Sequence, residues 1–167
     1  HTNLLALAQA LRAARPNLLL TMPVEWINTN LQWNPRPPGE VAFLQAIAPS
    51  LDRISAMTYD MGADYEGWSS WFTSPLSGHS ASTPSSVSSS IQYYLDAGVP
   101  AAKLGMGFGF FGNCYSGPTY PGQALAQGDL VASDGAMSYR NVVASYRPGM
   151  TLEILSDWTQ SYLWSNT

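Results

Sequence analysis

The sequence has little charge, a single cysteine and two histidines. Charged residues make up 11% of its 167 residues, whereas soluble domains average about 25%. Lys103 is the one lysine and the net charge is −4, so we expect no basic surface for nucleic acid or anionic lipid. Cys114 has no second cysteine to pair with, which excludes an internal disulfide. Two histidines, His1 and His79, favour neither a metal site nor a histidine triad, and we expect no cofactor.

Long apolar runs are also lacking, although apolar residues are plentiful. No run reaches the ~20 residues that a membrane-spanning helix needs, so no membrane partner is expected. Hydrophobic residues nevertheless make up 46% of the chain and aromatic residues 12%, which excludes a disordered polypeptide. A chain of 167 residues is long enough to bury roughly two-thirds of its unfolded surface.

The spacing of apolar residues predicts helices that alternate with buried strands. Short, almost wholly apolar runs are typical of strands in a parallel sheet, and they occur at residues 18–24, 53–59 and 103–111. Apolar residues at helical spacing predict a helix over residues 3–14 and another that begins near Glu40. Alternation of this kind predicts parallel strands joined by crossover helices.

A third helix is predicted inside a serine-rich stretch that otherwise looks like a linker. Thr83 followed by Pro84 is typical of an N-cap and a first helical position, and Gly98 is a natural stop. Further along the chain, we expect a helix over residues 138–145 and a strand over residues 152–155.

Aromatic and carboxylate side chains gather where the three predicted strands end, which is where parallel α/β folds place their functional residues. Glu25 and Trp26 follow the first strand, Tyr59 and Asp60 end the second, and Phe111 ends the third. Sugar rings have apolar faces and equatorial hydroxyls, so this combination suits a carbohydrate site. The alternative is that these aromatics pack in the core or between loops.

Asp60 is the strongest candidate for chemistry from its position alone. A carboxylate at the end of an apolar strand is partly desolvated, which suits charge stabilisation or proton transfer. The alternative is that it caps the next backbone turn, and Glu25 has a similar placement. The run Gly107-Phe108-Gly109 looks like part of a nucleotide loop, but no third glycine and helix start follow at the required spacing.

Several of these segments resemble family 18 glycoside hydrolases, the chitinases. The run Met57-Thr58-Tyr59-Asp60, followed by Trp71 and Ser74-Pro75-Leu76, resembles the sixth strand of that family and its loop. Residues 93–104 look like the link from the sixth helix to the seventh strand, and residues 107–112 resemble the seventh strand.

The resemblance implies a (β/α)₈ TIM barrel, of which this chain supplies about strands 5 to 7 with their helices. We expect residues 1–112 to form that partial barrel and residues 113–167 to form the small insertion after strand 7, itself incomplete. A complete barrel takes ~250 residues, so the implied partner is the remainder of its own barrel.

The resemblance also implies hydrolysis of chitin or N-acetylglucosamine oligosaccharides by substrate-assisted retaining catalysis. In that family the N-acetyl carbonyl of the sugar attacks its own anomeric carbon, and a tyrosine and an aspartate of the sixth strand hold the reacting sugar. By position, Tyr59 and Asp60 take these catalytic roles. The strand ends and the resemblance together predict these substrate-binding residues: Met22, Glu25, Trp26, Met57, Trp71, Phe111 and Asn113. Because chitin is an extracellular polymer, we expect a secreted protein.

The sequence departs from the family pattern in ways that leave other functions open. The acidic motif Asp-x-x-Asp-x-Asp-x-Glu, whose glutamate protonates the glycosidic oxygen, does not occur in it, so we expect the chain alone to be inactive. Phe111 stands where a tyrosine is common and Asn113 where an arginine is common. The alternatives are a chitinase-like lectin that binds sugar without catalysis, and a structural fragment whose cleft has no sugar role.

Overall fold

The computed structural model describes residues 1–32, 34–155 and 160–165. Its centre is a three-stranded parallel sheet in the order β1-β2-β3. The strands are β1 (Thr21–Glu25), β2 (Arg53–Met57) and β3 (Leu104–Met106). The helices of this part are α1 (Thr2–Ala14), α2 (Glu40–Ile47) and α3 (Val87–Asp96). The predicted alternation of helices and parallel strands is therefore confirmed.

The strand register brings the carboxyl ends of the three strands together. Glu25 lies opposite Met57 across the β1–β2 pair, and Ala56 lies opposite Met106 across the β2–β3 pair. Residues that follow these positions emerge at one edge of the sheet, because parallel strands run in the same direction. This edge carries the candidate site.

The hydrophobic core lies between the sheet and its helices. Ile54 of β2 and Ile47 of α2 are fully buried there, and Tyr94 of α3 is 1% exposed. The Tyr94 hydroxyl donates a hydrogen bond of 2.7 Å to the backbone carbonyl of Glu25. Burial of this phenol raises its pKa above the ordinary tyrosine value. The bond connects helix α3 to the end of β1, where the chain enters the site.

All three strands are shorter than predicted. β1 begins at Thr21 because Leu19, which was expected in the strand, is 73% exposed and lies outside the sheet. β3 ends at Met106, five residues before the predicted end. Gly107 donates its N–H to the carbonyl of Ala56 at 2.7 Å, and beyond it the chain leaves the sheet. The apolar run therefore continues past the strand itself.

Helix α3 begins later than the Thr83-Pro84 pair predicts. Its N-cap is Ser86, whose backbone is extended and whose hydroxyl accepts a hydrogen bond from the N–H of Ser89 at 3.1 Å. The Ser89 hydroxyl in turn accepts from the N–H of Ser86 at 3.0 Å, which completes a capping box. The helix does not include Pro84: its carbonyl accepts the N–H of Thr29, and the N–H of Ser88, which would bond to it in a helix, donates to the carbonyl of Leu76.

Replacing Ser86 by alanine is expected to lower the free energy of unfolding by about 1 kcal/mol, because the first turn of α3 loses its cap. Urea denaturation of the two proteins measures the difference. Ser116→Ala, at an exposed serine that caps no helix, is the control and is expected to change stability little. Equal loss in both variants would contradict the capping role.

The remaining part of the chain is built from two small antiparallel pairs and a short helix. Strands β4 (Cys114–Tyr115) and β5 (Leu130–Ala132) form one pair, and β6 (Thr151–Ile154) and β7 (Ser161–Trp164) form the other. Helix α4 (Tyr139–Asn141) continues as a π-helical stretch, Val142–Tyr146. The helix and strand predicted here are confirmed in position. Residues 156–159 and 166–167 of the predicted insertion lie outside the described residues.

None of the helices in the described ranges is long and apolar enough to cross a membrane. The segment after β3 makes an isolated bridge to the loop after β2, between Ala124 and Ser69. Two further contacts lie within the segment: Phe111 forms a bridge with Ser138, and the N–H of Tyr139 donates to the carbonyl of Phe110 at 2.8 Å. The later part of the segment thus packs back against its own start, directly after β3.

Candidate functional site

A cavity of about 370 Å³ lies at the carboxyl ends of the strands. It is partly open to solvent, and we refer to it as the cleft. The residues that line it come from the ends of β1 and β2 and from the loop after β1. They are Glu25, Trp26, Asn34, Met57, Tyr59 and Asp60. Five of these six were predicted from the sequence.

The alternation of side chains along β1 decides which of its residues reach the cleft. Met22 and Val24 pack against the hydrophobic core, whereas Glu25 is exposed and lines the cleft. The structure therefore does not bring Met22, a predicted substrate-binding residue, to the site. Its apolar side chain lies on the face of the sheet that the helices cover.

Tyr59 is held in place by the backbone that surrounds it. Its neighbour Thr58 donates its hydroxyl to the carbonyl of Gly107 at 2.9 Å, and Ser74 donates its hydroxyl to the carbonyl of Thr58 at 2.5 Å. The Tyr59 ring meets the ring of Phe111 edge to face, with the centroids 6.1 Å apart. Phe111 therefore supports the tyrosine, although it is not one of the cleft-lining residues.

Asp60, three residues after the end of β2, has a left-handed backbone conformation with φ at 59°. Non-glycine residues seldom adopt this conformation, but aspartate tolerates it better than most. The residue as a whole is exposed, yet protein atoms around its carboxyl exclude enough water to raise its pKa. The negative charge of Asp134 raises this pKa further. Asp134 itself has φ at 48° and belongs to the segment after β5.

These two causes predict how Asp60 titrates. Its folded-state pKa lies above the ordinary value, so its contribution to stability is present below the unfolded pKa of about 3.9 and is lost as the pH rises through the folded pKa. Asp134→Asn removes a negative charge, so we expect the Asp60 pKa to fall while staying above the ordinary value, since burial remains. Carboxyl ¹³C NMR titration measures the Asp60 pKa in the parent protein and in the variant. Asp129→Asn is the control, and an unchanged Asp60 pKa in Asp134→Asn would contradict the coupling.

Arg36, in the loop after β1, lies close to Glu25, Glu40 and Tyr93. Its guanidinium donates to the Glu40 carboxylate from Nε at 2.8 Å and through a second, shorter bond from Nη2. A third nitrogen lies 3.7 Å from the carboxylate of Glu25. Tyr93 donates its hydroxyl to Glu40 at 2.5 Å, and its ring lies 5.6 Å from the Arg36 guanidinium carbon. Sequence reasoning missed Arg36 and the neighbouring Asn34, because nothing in the loop pattern distinguishes them.

The partners of Glu40 favour the ionised form of its carboxyl group. Burial on its own would raise the pKa of the Glu40 carboxyl, but the hydrogen bonds from Arg36 and Tyr93 outweigh it and the pKa lies below the ordinary value. The same pairing raises the pKa of Arg36. Side chains of Arg36 and Glu40 are only 13% and 12% exposed. The loop after β1 is thus fastened to α2 and α3 by a nearly buried ion pair.

Two predicted binding residues, Trp71 and Asn113, lie beside the cleft without lining it. Asn113 donates its amide to the carbonyl of Gly62, and Tyr115 donates its hydroxyl to the carbonyl of Trp71 at 3.4 Å. The indole nitrogen of Trp71 and the amide oxygen of Asn113 are buried and have no hydrogen-bond partner among the described residues. Both side chains therefore bury a polar atom whose hydrogen bond is not made within the described residues.

An aromatic wall extends outward from Trp26. The Trp26 ring meets that of Trp68 edge to face at 6.1 Å, and Trp68 meets Tyr65 in the same way at 4.9 Å. Trp68 is buried, whereas Tyr65 is 42% exposed. The cleft thus combines aromatic faces with carboxylates.

Within residues 1–32, 34–155 and 160–165, no group of three or more histidine, cysteine, aspartate or glutamate side chains could hold a metal ion.

Comparison with solved structures shows the same fold in chitinases and a related protein. Chitinase ChiW from Paenibacillus sp. str. FPU-7 superposes with a TM-score of 0.75 at 21% identity, covering 97% of this chain and 19% of that one. For the family 18 chitinase from Cycas revoluta, solved with (GlcNAc)₃, the TM-score is 0.66 at 22% identity, covering 99% and 47%. Human YKL-39, described as a pseudo-chitinase that retains chitooligosaccharide binding, gives 0.74 at 20% identity, covering 99% and 49%.

These likenesses establish the fold, and this chain spans less than half the length of each of the three proteins. No curated protein matches the chain. The model of the glycosyl hydrolases family 18 matches residues 1–167, which is the entire chain. The resemblance first indicated by residues 57–60 is thereby confirmed. The chain belongs to family 18 of the glycosyl hydrolases, and its fold is that of the TIM-barrel proteins of this family.

Proposed function

We propose that this chain supplies one side of the substrate cleft of a chitinase-type glycoside hydrolase that acts on β-1,4-linked N-acetylglucosamine. The observation that carries the proposal is the convergence of Tyr59, Asp60 and Trp26 on one cleft at the strand ends. The aromatic side chains offer flat faces for sugar rings, and the carboxylates accept hydrogen bonds from sugar hydroxyls and amides. Since chitin lies outside cells, the proposal includes secretion.

The proposed chemistry is substrate-assisted hydrolysis with retention at the anomeric carbon. The N-acetyl oxygen of the sugar attacks its own anomeric carbon as the glycosidic bond breaks, and an acid outside this chain's residues protonates the leaving oxygen. Water then opens the oxazolinium intermediate. Asp60 stabilises the positive charge that develops on the acetamido group, and the Tyr59 hydroxyl donates to its oxygen. Met57 forms the floor of the cleft.

We further propose that residues 1–112 correspond to strands 5 to 7 of the barrel and residues 113–167 to the insertion after strand 7. Among the described residues, β1 and β3 each have one neighbouring strand, so both outer edges of the sheet are free to pair. Helix α1 exposes Leu4 and Leu7 at 46% and 55%. These features support a partner that is the rest of the same barrel. The closed barrel that includes this chain is called the complete protein below.

Binding and turnover of (GlcNAc)₃ by the complete protein test the proposal. Tryptophan fluorescence reports binding, because Trp26 lines the cleft. We expect binding with release of shorter sugars. No fluorescence response at millimolar sugar would refute the carbohydrate site. Turnover by a polypeptide that begins at His1 would refute the proposed external acid.

A second candidate function is sugar binding without catalysis. It is favoured by the likeness to human YKL-39, a pseudo-chitinase that retains chitooligosaccharide binding. The two candidates differ in one result. Saturable binding of (GlcNAc)₃ by the complete protein without any cleavage would establish the lectin function.

A further inference from the structure

The segment after β3 passes unusually close to the Tyr59 side chain. A Cβ atom added to Gly107 would lie 2.8 Å from Cε1 and 3.4 Å from Cδ1 of the Tyr59 ring. A Cβ atom added to Gly109 would lie 2.8 Å from Cβ of Tyr59 and 2.8 Å from Cε1 of Phe111. The 2.8 Å distances are well inside van der Waals contact, so a larger residue at Gly107 requires the Tyr59 ring to shift, and one at Gly109 requires both Tyr59 and Phe111 to shift.

These two glycines are required for space and not for backbone conformation. Neither is among the residues with positive φ, so an alanine could adopt the local backbone at both positions. Gly112, three residues beyond Gly109, has open space around its own added Cβ and no positive φ. The tight approach is therefore specific to Gly107 and Gly109, the same pair whose spacing looks like part of a nucleotide loop.

We propose that Gly107 and Gly109 are positioning residues that form a slot for Tyr59. The slot consists of the backbone of these two glycines, closed at one end by the Phe111 ring, which meets Tyr59 edge to face. Gly107 lies against the ring, and Gly109 lies against its base. The Gly107 backbone is itself fixed by its N–H bond to Ala56 at 2.7 Å and by the Thr58 hydroxyl on its carbonyl. The slot thus fixes the direction in which the phenol enters the cleft.

Any effect of the slot on sugar binding rests on the function proposed for Tyr59. The packing of the Tyr59 ring in the slot can be tested independently of that function. We therefore compare two measurements in the complete protein. NMR of ring-labelled tyrosine, assigned with Tyr59→Phe, reports the ring environment, and titration with (GlcNAc)₃ reports affinity. We expect Gly107→Ala and Gly109→Ala to shift the Tyr59 ring resonances and to weaken binding about tenfold. Gly112→Ala is the control and is expected to leave both unchanged.

A rescue experiment separates the slot from a general loss of stability. Gly107→Ala is expected to lower the Tm of the parent protein, and to lower it much less in a Tyr59→Ala background, because the ring atom that lies 2.8 Å from the added Cβ is then absent. If Gly107→Ala fails to fold, recovery of folding in the double variant supports the slot. The slot is refuted if Gly107→Ala lowers the Tm equally with and without the Tyr59 ring. It is also refuted if the Tyr59 ring resonances are unchanged in both Gly107→Ala and Gly109→Ala. Shifted resonances with unchanged affinity support the slot and refute the role of Tyr59 in binding.

Discussion

Asp60→Asn is expected to reduce the rate of (GlcNAc)₃ hydrolysis by the complete protein at least a hundredfold. Asp60 lines the cleft beside Tyr59, and in the proposed mechanism its negative charge faces the positive charge that develops on the acetamido group. Asparagine keeps the size and shape of the side chain but removes that charge. Losses of about 10² to 10³ in rate are typical when one such electrostatic partner is removed.

The matched control for this variant is Glu66→Gln. Glu66 is an exposed carboxylate in the loop that follows Asp60, so it tests the loss of a charge without the loss of a cleft residue. Its rate is expected to stay close to that of the parent protein. Binding should weaken less than the rate in Asp60→Asn, because the charge develops only as the reaction proceeds. A full rate in Asp60→Asn would remove Asp60 from the mechanism.

The sheet and its helices were predictable because their signals are local. Apolar runs and helical spacing predicted β1, β2 and α1 within a few residues, and Asp60 stood out because it follows a buried strand directly. The end of β3 was not predictable. Residues 107–111 continue the apolar pattern of a strand, but Phe108 and Phe110 are 66% and 77% exposed. The Gly107 and Gly109 backbones pack against Tyr59, a contact between distant parts of the chain that no local pattern encodes.

Only part of the candidate site was predictable, because some of its residues are placed by strand order and others by long-range contacts. Residues at the strand ends, such as Trp26 and Tyr59, follow from topology, since parallel strands end at one edge. Asn34 lies in a loop whose path depends on tertiary contacts, so its place in the cleft could not be read from sequence. Met22 was misplaced because side chains alternate between the two faces of a strand, and the apolar run alone does not show which face the helices cover.

Arg36→Met is expected to lower the free energy of unfolding by about 3 kcal/mol. Arg36 and Glu40 are nearly buried, and removal of the guanidinium leaves the Glu40 carboxylate with the Tyr93 hydroxyl as its remaining partner in this cluster. Arg53→Met, at an exposed arginine that begins β2, is the control and should change stability by about 0.5 kcal/mol or less. Because the Glu40 pKa is lowered, the contribution of the pair in the parent protein should be present above the unfolded pKa and lost as the pH falls through the folded pKa.

The double variant Arg36→Met/Glu40→Met separates the two roles of the arginine. Two apolar side chains of suitable size remove the unpaired charge, so most of the lost stability should return. We also expect Arg36→Met to weaken (GlcNAc)₃ binding, because Glu25 in the cleft loses the cation that lies 3.7 Å from its carboxylate. This affinity should not return in the double variant, which still lacks that cation. Recovery of both properties would mean that Arg36 acts on the fold alone. Recovery of neither would mean that the loss of stability in Arg36→Met does not come from the unpaired Glu40 carboxylate.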